Sequence, residues 1–240
     1  MCGIIGFTGR KPAKDILIDG LERLEYRGYD SAGIALLNDD DTLTIRKKAG
    51  RVSELRELCK DGEYSSTCGI GHTRWATHGG VTDANAHPHR CGNVALIHNG
   101  IIENYSDIIR EYGLADKLVS ETDSEVVAAL LDTLYEGDPI TAIRKAVKII
   151  AGSFALCIMF ADRPGIIYAV RNVSPMVAAH SEEGSIIASD LTAIISFSKD
   201  YFVVPEYHIL TMTEGGIKVE DLKGNEVRPQ MLEITWDITA

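Results

Sequence analysis

The chain is 240 residues long, 45% hydrophobic and 25% charged, a composition that suits a globular protein able to bury a sizeable core. Its 35 acidic residues outnumber 24 basic ones for a net charge of −11, and no basic run exceeds Arg46-Lys47-Lys48, so neither nucleic acid nor an anionic membrane is an expected partner. The longest uninterrupted apolar stretch, residues 154–161, falls far short of the roughly 20 residues that span a bilayer.

In chain order, residues 2–7 read as a buried strand. Residues 12–25 follow as a helix, with Leu17, Leu21 and Leu24 on one face and a stop at Gly28. Residues 33–37 and 43–46 read as strands joined through the Asn38-Asp39-Asp40-Asp41 turn. A short helix is predicted over 52–60, and β-type runs over 68–73 and 93–99 with a polar loop between them. Three helices come next. Ser106 is expected to cap the first, which runs to Tyr112. Asp123 or Ser124 caps the second, with Val127, Leu130, Leu131 and Leu134 on its apolar face. Asp138-Pro139 begins the third, which carries Ile143, Val147 and Ile150 and ends at Gly152. Strands are predicted over 154–160, 166–171, 176–179, 185–188, 207–212 and 217–220.

Strands thus cluster at both ends with helices between them, and short turns favour antiparallel pairing. The repeated βα alternation of a doubly wound or barrel fold is absent. Two sheets covered by helices, in one α+β domain over 1–240, fit this order. No linker or repeat divides the chain, and the unpatterned stretch 230–240 suggests a piece of a longer polypeptide.

Cys2, Cys59, Cys68, Cys91 and Cys157 are irregularly spaced without a CxxC pair, which points to free thiols in a reducing cytoplasm. Cys2 has a further property. Removal of Met1 would leave a cysteine whose own α-amine, titrating near ~8, can take the proton of a thiol near ~8.5. The competing reading is a small buried cysteine that happens to lie early.

Four short stretches concentrate unusual polar groups. Gly3 and Gly6 follow Cys2 and allow near approach of backbone or ligand beside its thiol. Residues 24–33, LEYRGYDSAG, follow the first helix, and their simplest reading is a helix end at Gly28 with surface charges. Residues 71–80, GHTRWATHGG, combine a guanidinium that matches a carboxylate with hydroxyls, imidazoles and an indole. The Gly79-Gly80 pair there could hinge a lid; an ordinary polar loop is the alternative. Asn99-Gly100 reads either as a hairpin turn or as an oxyanion hole made from a side-chain NH₂ and a backbone N–H.

Together and in this order the four stretches resemble the class II glutamine amidotransferases, whose glutaminase domains are N-terminal nucleophile hydrolases. RLEYRGYDSAG at 23–33, TRWATHG at 73–79, NAHPH at 85–89, HNGIIEN at 98–104 and SETDSEV at 120–126 are similar to the glucosamine-6-phosphate synthases in particular. The resemblance covers essentially the whole chain. It implies a four-layer αββα sandwich of two mainly antiparallel sheets, and hydrolysis of L-glutamine to glutamate and ammonia with no cofactor and no metal.

By the same resemblance Cys2 is the nucleophile and its freed amine the base, while Asn99 and Gly100 hold the oxyanion. Arg74, helped by Thr77 and His78, would take the substrate carboxylate, and Asp123 its ammonium. Trp75 is implied as a lid or ammonia-path residue, with Arg27 and Gly28 beside the nucleophile. The family's sugar-isomerase domains, which would use the ammonia to make glucosamine 6-phosphate in a homo-oligomeric full-length enzyme, have no counterpart in these 240 residues.

Three other readings compete. The His72, His78, His87, His89 and His98 cluster near Cys68 and Cys91 suggests a metal protein, without an HExxH or paired CxxC motif. A non-catalytic glutamine-binding module would need neither a thiol nor oxyanion donors. A glutaminase domain serving purine or asparagine synthesis would share the chemistry.

Overall fold

A computed structural model describes residues 2–76 and 79–235. Strand β1 (Gly3–Gly9) leads into helix α1 (Ala13–Leu24), a single 3₁₀ turn (Glu25–Arg27), the hairpin β2 (Ser31–Leu37) and β3 (Leu43–Ala49), helix α2 (Val52–Leu58) and strand β4 (Cys68–Arg74). Strands β5 (His89–Cys91) and β6 (Val94–Ile102) precede three helices, α3 (Tyr105–Tyr112), α4 (Asp123–Leu134) and α5 (Pro139–Ile149). The rest is strand and turn: β7 (Gly152–Phe160), β8 (Ile167–Asn172), β9 (Val177–Ser181), β10 (Gly184–Ala188), β11 (Asp200–Val203), β12 (His208–Thr213), β13 (Gly216–Asp221) and β14 (Leu232–Glu233).

The strands form two sheets, ordered β14-β11-β9-β10-β1-β4-β2-β3 and β13-β12-β8-β7-β6-β5, with antiparallel neighbours throughout. Side-chain alternation explains the layering. On β7, Phe154, Leu156, Ile158 and Phe160 pack with Val127, Leu130 and Leu131 of α4 and Ile143 and Val147 of α5. The intervening Ala155, Cys157 and Met159 face Ile4, Ile70 and Leu37 of the other sheet. On β1, Ile5 and Phe7 turn away from that interface, against Leu17 and Leu21 of α1 and Leu55 of α2. The result is the expected αββα sandwich with one apolar cluster per interface. Both faces of the central strands are dry, so their sequences run continuously apolar instead of alternating. Truncating a residue such as Leu156 to alanine costs about 2–5 kcal/mol in such a site. Among the described residues no helix is long and apolar enough to cross a membrane.

Two helix starts differ from expectation. Asn104, not Ser106, precedes α3, and it makes no side-chain cap bond. For α4 the cap is Thr122, whose Oγ1 accepts from the Glu125 N–H, so Asp123 is already in the first turn. Glu125 returns the contact by accepting from the Ser120 N–H at 2.6 Å, the reciprocal arrangement of a capping box shifted toward the loop. Asp138 does cap α5, accepting from the Ile140 N–H ahead of Pro139. The hairpin reading of Asn99-Gly100 fails. β6 runs through both residues to Ile102, pairing Asn99 with Ala155 and Gly100 with Phe154.

Candidate active site

Cys2 stands at the head of β1, where that strand pairs with β4, Gly3 opposite Thr73. β4 ends at Arg74, so the next residue, Trp75, arrives at the thiol. Its N–H lies 3.2 Å from Cys2 Sγ, and its carbonyl 3.6 Å. Gly28 makes this approach feasible. A Cβ there would come within 2.9 Å of the Trp75 nitrogen, so its role is close backbone contact behind the nucleophile. Burial pushes the Cys2 thiol above its ordinary range, opposed by the Trp75 N–H bond and the Arg74 charge. Such a thiol needs a base to become a nucleophile at neutral pH.

Two cavities meet at Cys2. The first, of about 290 Å³, is lined by Cys2, Arg74, Trp75, His87, His98, Gly100, Thr122, Asp123 and Ser124. The second, of about 660 Å³, holds Cys2, Arg27, Trp75, Asn99, Gly100, Ile101, Ser153, Ser174 and Pro175. Arg74 and Asp123 therefore share the first chamber with the thiol. Arg27 lines the second chamber with Cys2 instead of the first, and forms an ion pair with Asp190.

Arg74 is buried, and its guanidinium donates to the Gly80 carbonyl at 3.0 Å and the Gly79 carbonyl at 3.4 Å. Asp123 is buried too, and its Oδ2 accepts the Ile102 N–H at 2.8 Å. That bond ties the start of α4 to the end of β6. Trp75 is half-exposed, with its ring edge-on to Tyr29 at 5.8 Å. Thr77 and His78 lie outside the described residues.

Asn99 and Gly100 sit on β6 with their backbone in strand pairing. The Asn99 Nδ2 donates to the Cys2 carbonyl at 2.9 Å, which brings this amide to the nucleophile. An amide NH₂ carries two hydrogens, so a second remains for a developing oxyanion. Gly100 adopts φ of +132°, and a Cβ there would lie 2.0 Å from the Ser153 carbonyl oxygen, so only glycine fits.

Sequence reasoning did not anticipate the polar support of the first cavity. His98 Nδ1 lies 2.9 Å from the Ser124 hydroxyl, and His89 Nε2 lies 3.0 Å from that of Thr122. Lys47 Nζ gathers the carbonyls of Ala84, Ala86 and Pro88, which holds the loop carrying His87. His72 and His87 stack with centroids 4.1 Å apart, and His89 meets His87 edge-on at 4.5 Å. Burial drives His87 and His89 well below the ordinary imidazole value, and lowers His98 against the pull of Asp123. These rings pack as neutral aromatics. Among the described residues no group of three or more His, Cys, Asp or Glu side chains is arranged to hold a metal ion. The available signal was the histidine-rich spacing itself, which equally suited a metal site.

Residues 72–196 match the glutamine amidotransferase domain family. Curated relatives include the glutamine–fructose-6-phosphate aminotransferases (isomerizing) of Clostridium tetani, 41% identical over 244 residues, and Fusobacterium nucleatum, 43% identical over 243. These alignments take in 100% and 99% of this chain, which spans about 40% of the length of each relative. Among solved structures the chain is similar to the glutamine phosphoribosylpyrophosphate amidotransferase of B. subtilis complexed with ADP and GMP. There the TM-score is 0.79 at 25% identity, over 95% of this chain and 50% of that one. In fold alone it also matches a class-II glutamine aminotransferase domain protein from Silicibacter pomeroyi, with TM-score 0.62 at 13% identity, over 92% of this chain and 99% of that one.

Proposed function

Because the chain belongs to the glutamine amidotransferase family, we propose that it hydrolyses the side-chain amide of L-glutamine through a γ-glutamyl thioester on Cys2. The observation that carries this reading is the meeting of Cys2 with Arg74 and Asp123 in one small chamber. A carboxylate and an ammonium on one α-carbon require two opposite charges, and a thiol within reach of the side-chain amide requires that chamber to end at Cys2.

In the proposed reaction, loss of Met1 frees the Cys2 amine, which takes the thiol proton. The thiolate's lone pair forms a bond to the amide carbon, and the C=O π electrons move onto the carbonyl oxygen. The second Nδ2–H of Asn99 and the Gly100 N–H stabilise that oxyanion. As the C–N bond breaks, the ammonium of Cys2 returns its proton to the leaving nitrogen, and ammonia departs. Water then adds to the thioester, giving a proton to the amine, and release of glutamate restores the thiol. The raised thiol of Cys2 supports a base-dependent step, since burial disfavours a standing thiolate.

The similarity at about 41% identity to glutamine–fructose-6-phosphate aminotransferases favours an acceptor of that kind. On this reading a full-length protein would pass the ammonia to fructose 6-phosphate in sugar-isomerase domains and make glucosamine 6-phosphate. The decisive experiment is a glutamate-production assay on the purified chain, with intact-mass and N-terminal sequencing alongside. Glutamate release from a chain beginning at Cys2 is expected; an active chain that retains Met1 removes the amine as base.

A further inference from the structure

His72 lines neither cavity, yet it holds one of the groups that the proposed reaction depends on. It lies on β4, fully buried, opposite Ile4 of β1 and Gly33 of β2. Its Nε2 is 2.9 Å from the Asn99 side-chain oxygen and 3.0 Å from the His98 carbonyl oxygen. The other end of the Asn99 amide lies 2.9 Å from the Cys2 carbonyl. A carbonyl only accepts, so the Asn99 NH₂ must face Cys2 and the Asn99 oxygen must face His72. Both partners of Nε2 are then acceptors, and His72 must carry its proton there. Its Nδ1 is buried without a partner, and the ring face is fixed by stacking on His87.

We infer that His72 is a positioning residue for glutamine hydrolysis: its Nε2–H anchors the Asn99 carbonyl and so aims the Asn99 NH₂ at the oxyanion. This rests on the reaction proposed above. The imidazole suits the task because it is rigid, fixed in one tautomer and neutral; burial pushes its pKa down to about 3. A charged ring there would be stripped of water with no counter-charge beside it, and a rotating hydroxyl would leave the amide free to turn. Asn99 is thus clamped at both ends, by β4 of one sheet and by the nucleophile's own carbonyl.

The experiment is steady-state glutamine hydrolysis by the wild-type chain, Cys2→Ala, Asn99→Ala, His72→Phe, His72→Gln and the His72→Phe/Asn99→Ala double variant. Phenylalanine keeps the stack on His87 and removes the donor, whereas glutamine retains an N–H near the position of Nε2. His72→Phe should lower kcat by about 10- to 100-fold, less than full loss of the oxyanion donor, with little change in KM. His72→Gln should recover most of that loss. The double variant should be no slower than Asn99→Ala alone, because His72 acts only through Asn99.

An unchanged kcat in His72→Phe, or losses that multiply in the double variant, would overturn the role. So that the inference survives a variant that does not fold, long-range ¹⁵N–¹H spectra of the wild-type chain read the tautomer directly. A proton on Nδ1 overturns the inference, and one on Nε2 supports it. A wild-type chain as inactive as Cys2→Ala would instead remove the glutaminase reading itself.

Discussion

The two cavities that meet at Cys2 are built differently. The first is walled by buried groups on regular elements: Arg74 at the end of β4, Asp123 in the first turn of α4, and His98 on β6. Each is held by further hydrogen bonds, down to the Ser124 and Thr122 hydroxyls behind the imidazoles. The second is larger, and includes Ile101, Ser174 and Pro175, with Ile101 exposed at its rim. A chamber of fixed, opposite charges selects a zwitterion; a wider one with few charges imposes little on what passes through. On the proposed reading the first reads glutamine and the second lies on the side away from the head group. Cys2, Trp75 and Gly100 border both.

The largest expected effect is at the shared boundary. Cys2→Ala should lower hydrolysis by at least about 10⁴-fold while leaving the melting temperature nearly unchanged, because only one thiol at the chain end is lost. A γ-electrophilic glutamine analogue should label Cys2 alone. Burial raises the thiols of Cys59 and Cys157, and that of Cys68 to about 12, and none of the three lines either cavity. Mass spectrometry of the labelled peptide that finds one of these modified would break the assignment.

Acid should act next on the buried histidines around the first cavity, of which His87 and His98 line it directly. His72, His87 and His89 are held below the ordinary imidazole value of 6.5 by burial. The unfolded chain therefore binds protons that the folded one refuses, so stability is full above about pH 6.5 and falls as pH drops below it. Each such ring can lower stability by at most about 1.4 kcal/mol for each pH unit below 6.5, so the cluster as a whole makes the fall steep. Thermal melts from pH 7.5 to 5 should show this steep fall; a flat profile would mean that the rings take up protons within the fold.

Asn99→Ala should lower kcat by about 10²–10³-fold with little effect on KM, because the donor meets charge that develops only in the transition state. Asp123→Asn should do the opposite, raising KM by about 10-fold or more while kcat changes less, as one charged partner of the substrate ammonium is lost. Asparagine is the sharper choice than alanine, since its oxygen can still accept the Ile102 N–H that ties α4 to β6. If Asp123→Asn leaves KM unchanged, the ammonium is read elsewhere.

Much of this arrangement was legible in the sequence, for identifiable reasons. The long strands announced themselves because both faces are buried, as in β7, and α5 carried its Asp138-Pro139 start openly. β5, at three residues, and β14, at two, are too short to leave a pattern. The Asn-Gly dipeptide is a strong local turn signal, and it was overridden by nine paired positions between β6 and β7. The charges of the site were visible as residue types, but their division between two cavities was not. Arg27 and Arg74 are separated by the way β1, β4 and β6 converge from two sheets. His72 illustrates the same limit, since its partner Asn99 lies 27 residues away on the opposite sheet.

The smallest effect tests the comparison most directly. Ile101 lines the second cavity and not the first, is substantially exposed, and pairs through its backbone with Ser153. Replacing it by serine removes apolar surface at the rim and leaves the strand ladder intact, because the ladder uses only main-chain groups. A surface change of this kind shifts free energies by about 0.5 kcal/mol or less, which corresponds to about twofold in a rate or binding constant. Ile101→Ser should therefore hydrolyse glutamine with kcat and KM both within about twofold of the parent chain. The neighbouring Gly100 lines both cavities and cannot serve as this control, since any side chain there strikes the Ser153 carbonyl. A tenfold rise in KM for Ile101→Ser, set beside an unchanged KM for Asp123→Asn, would exchange the roles of the two chambers, with the substrate's head group lying on the Ile101 side of the thiol.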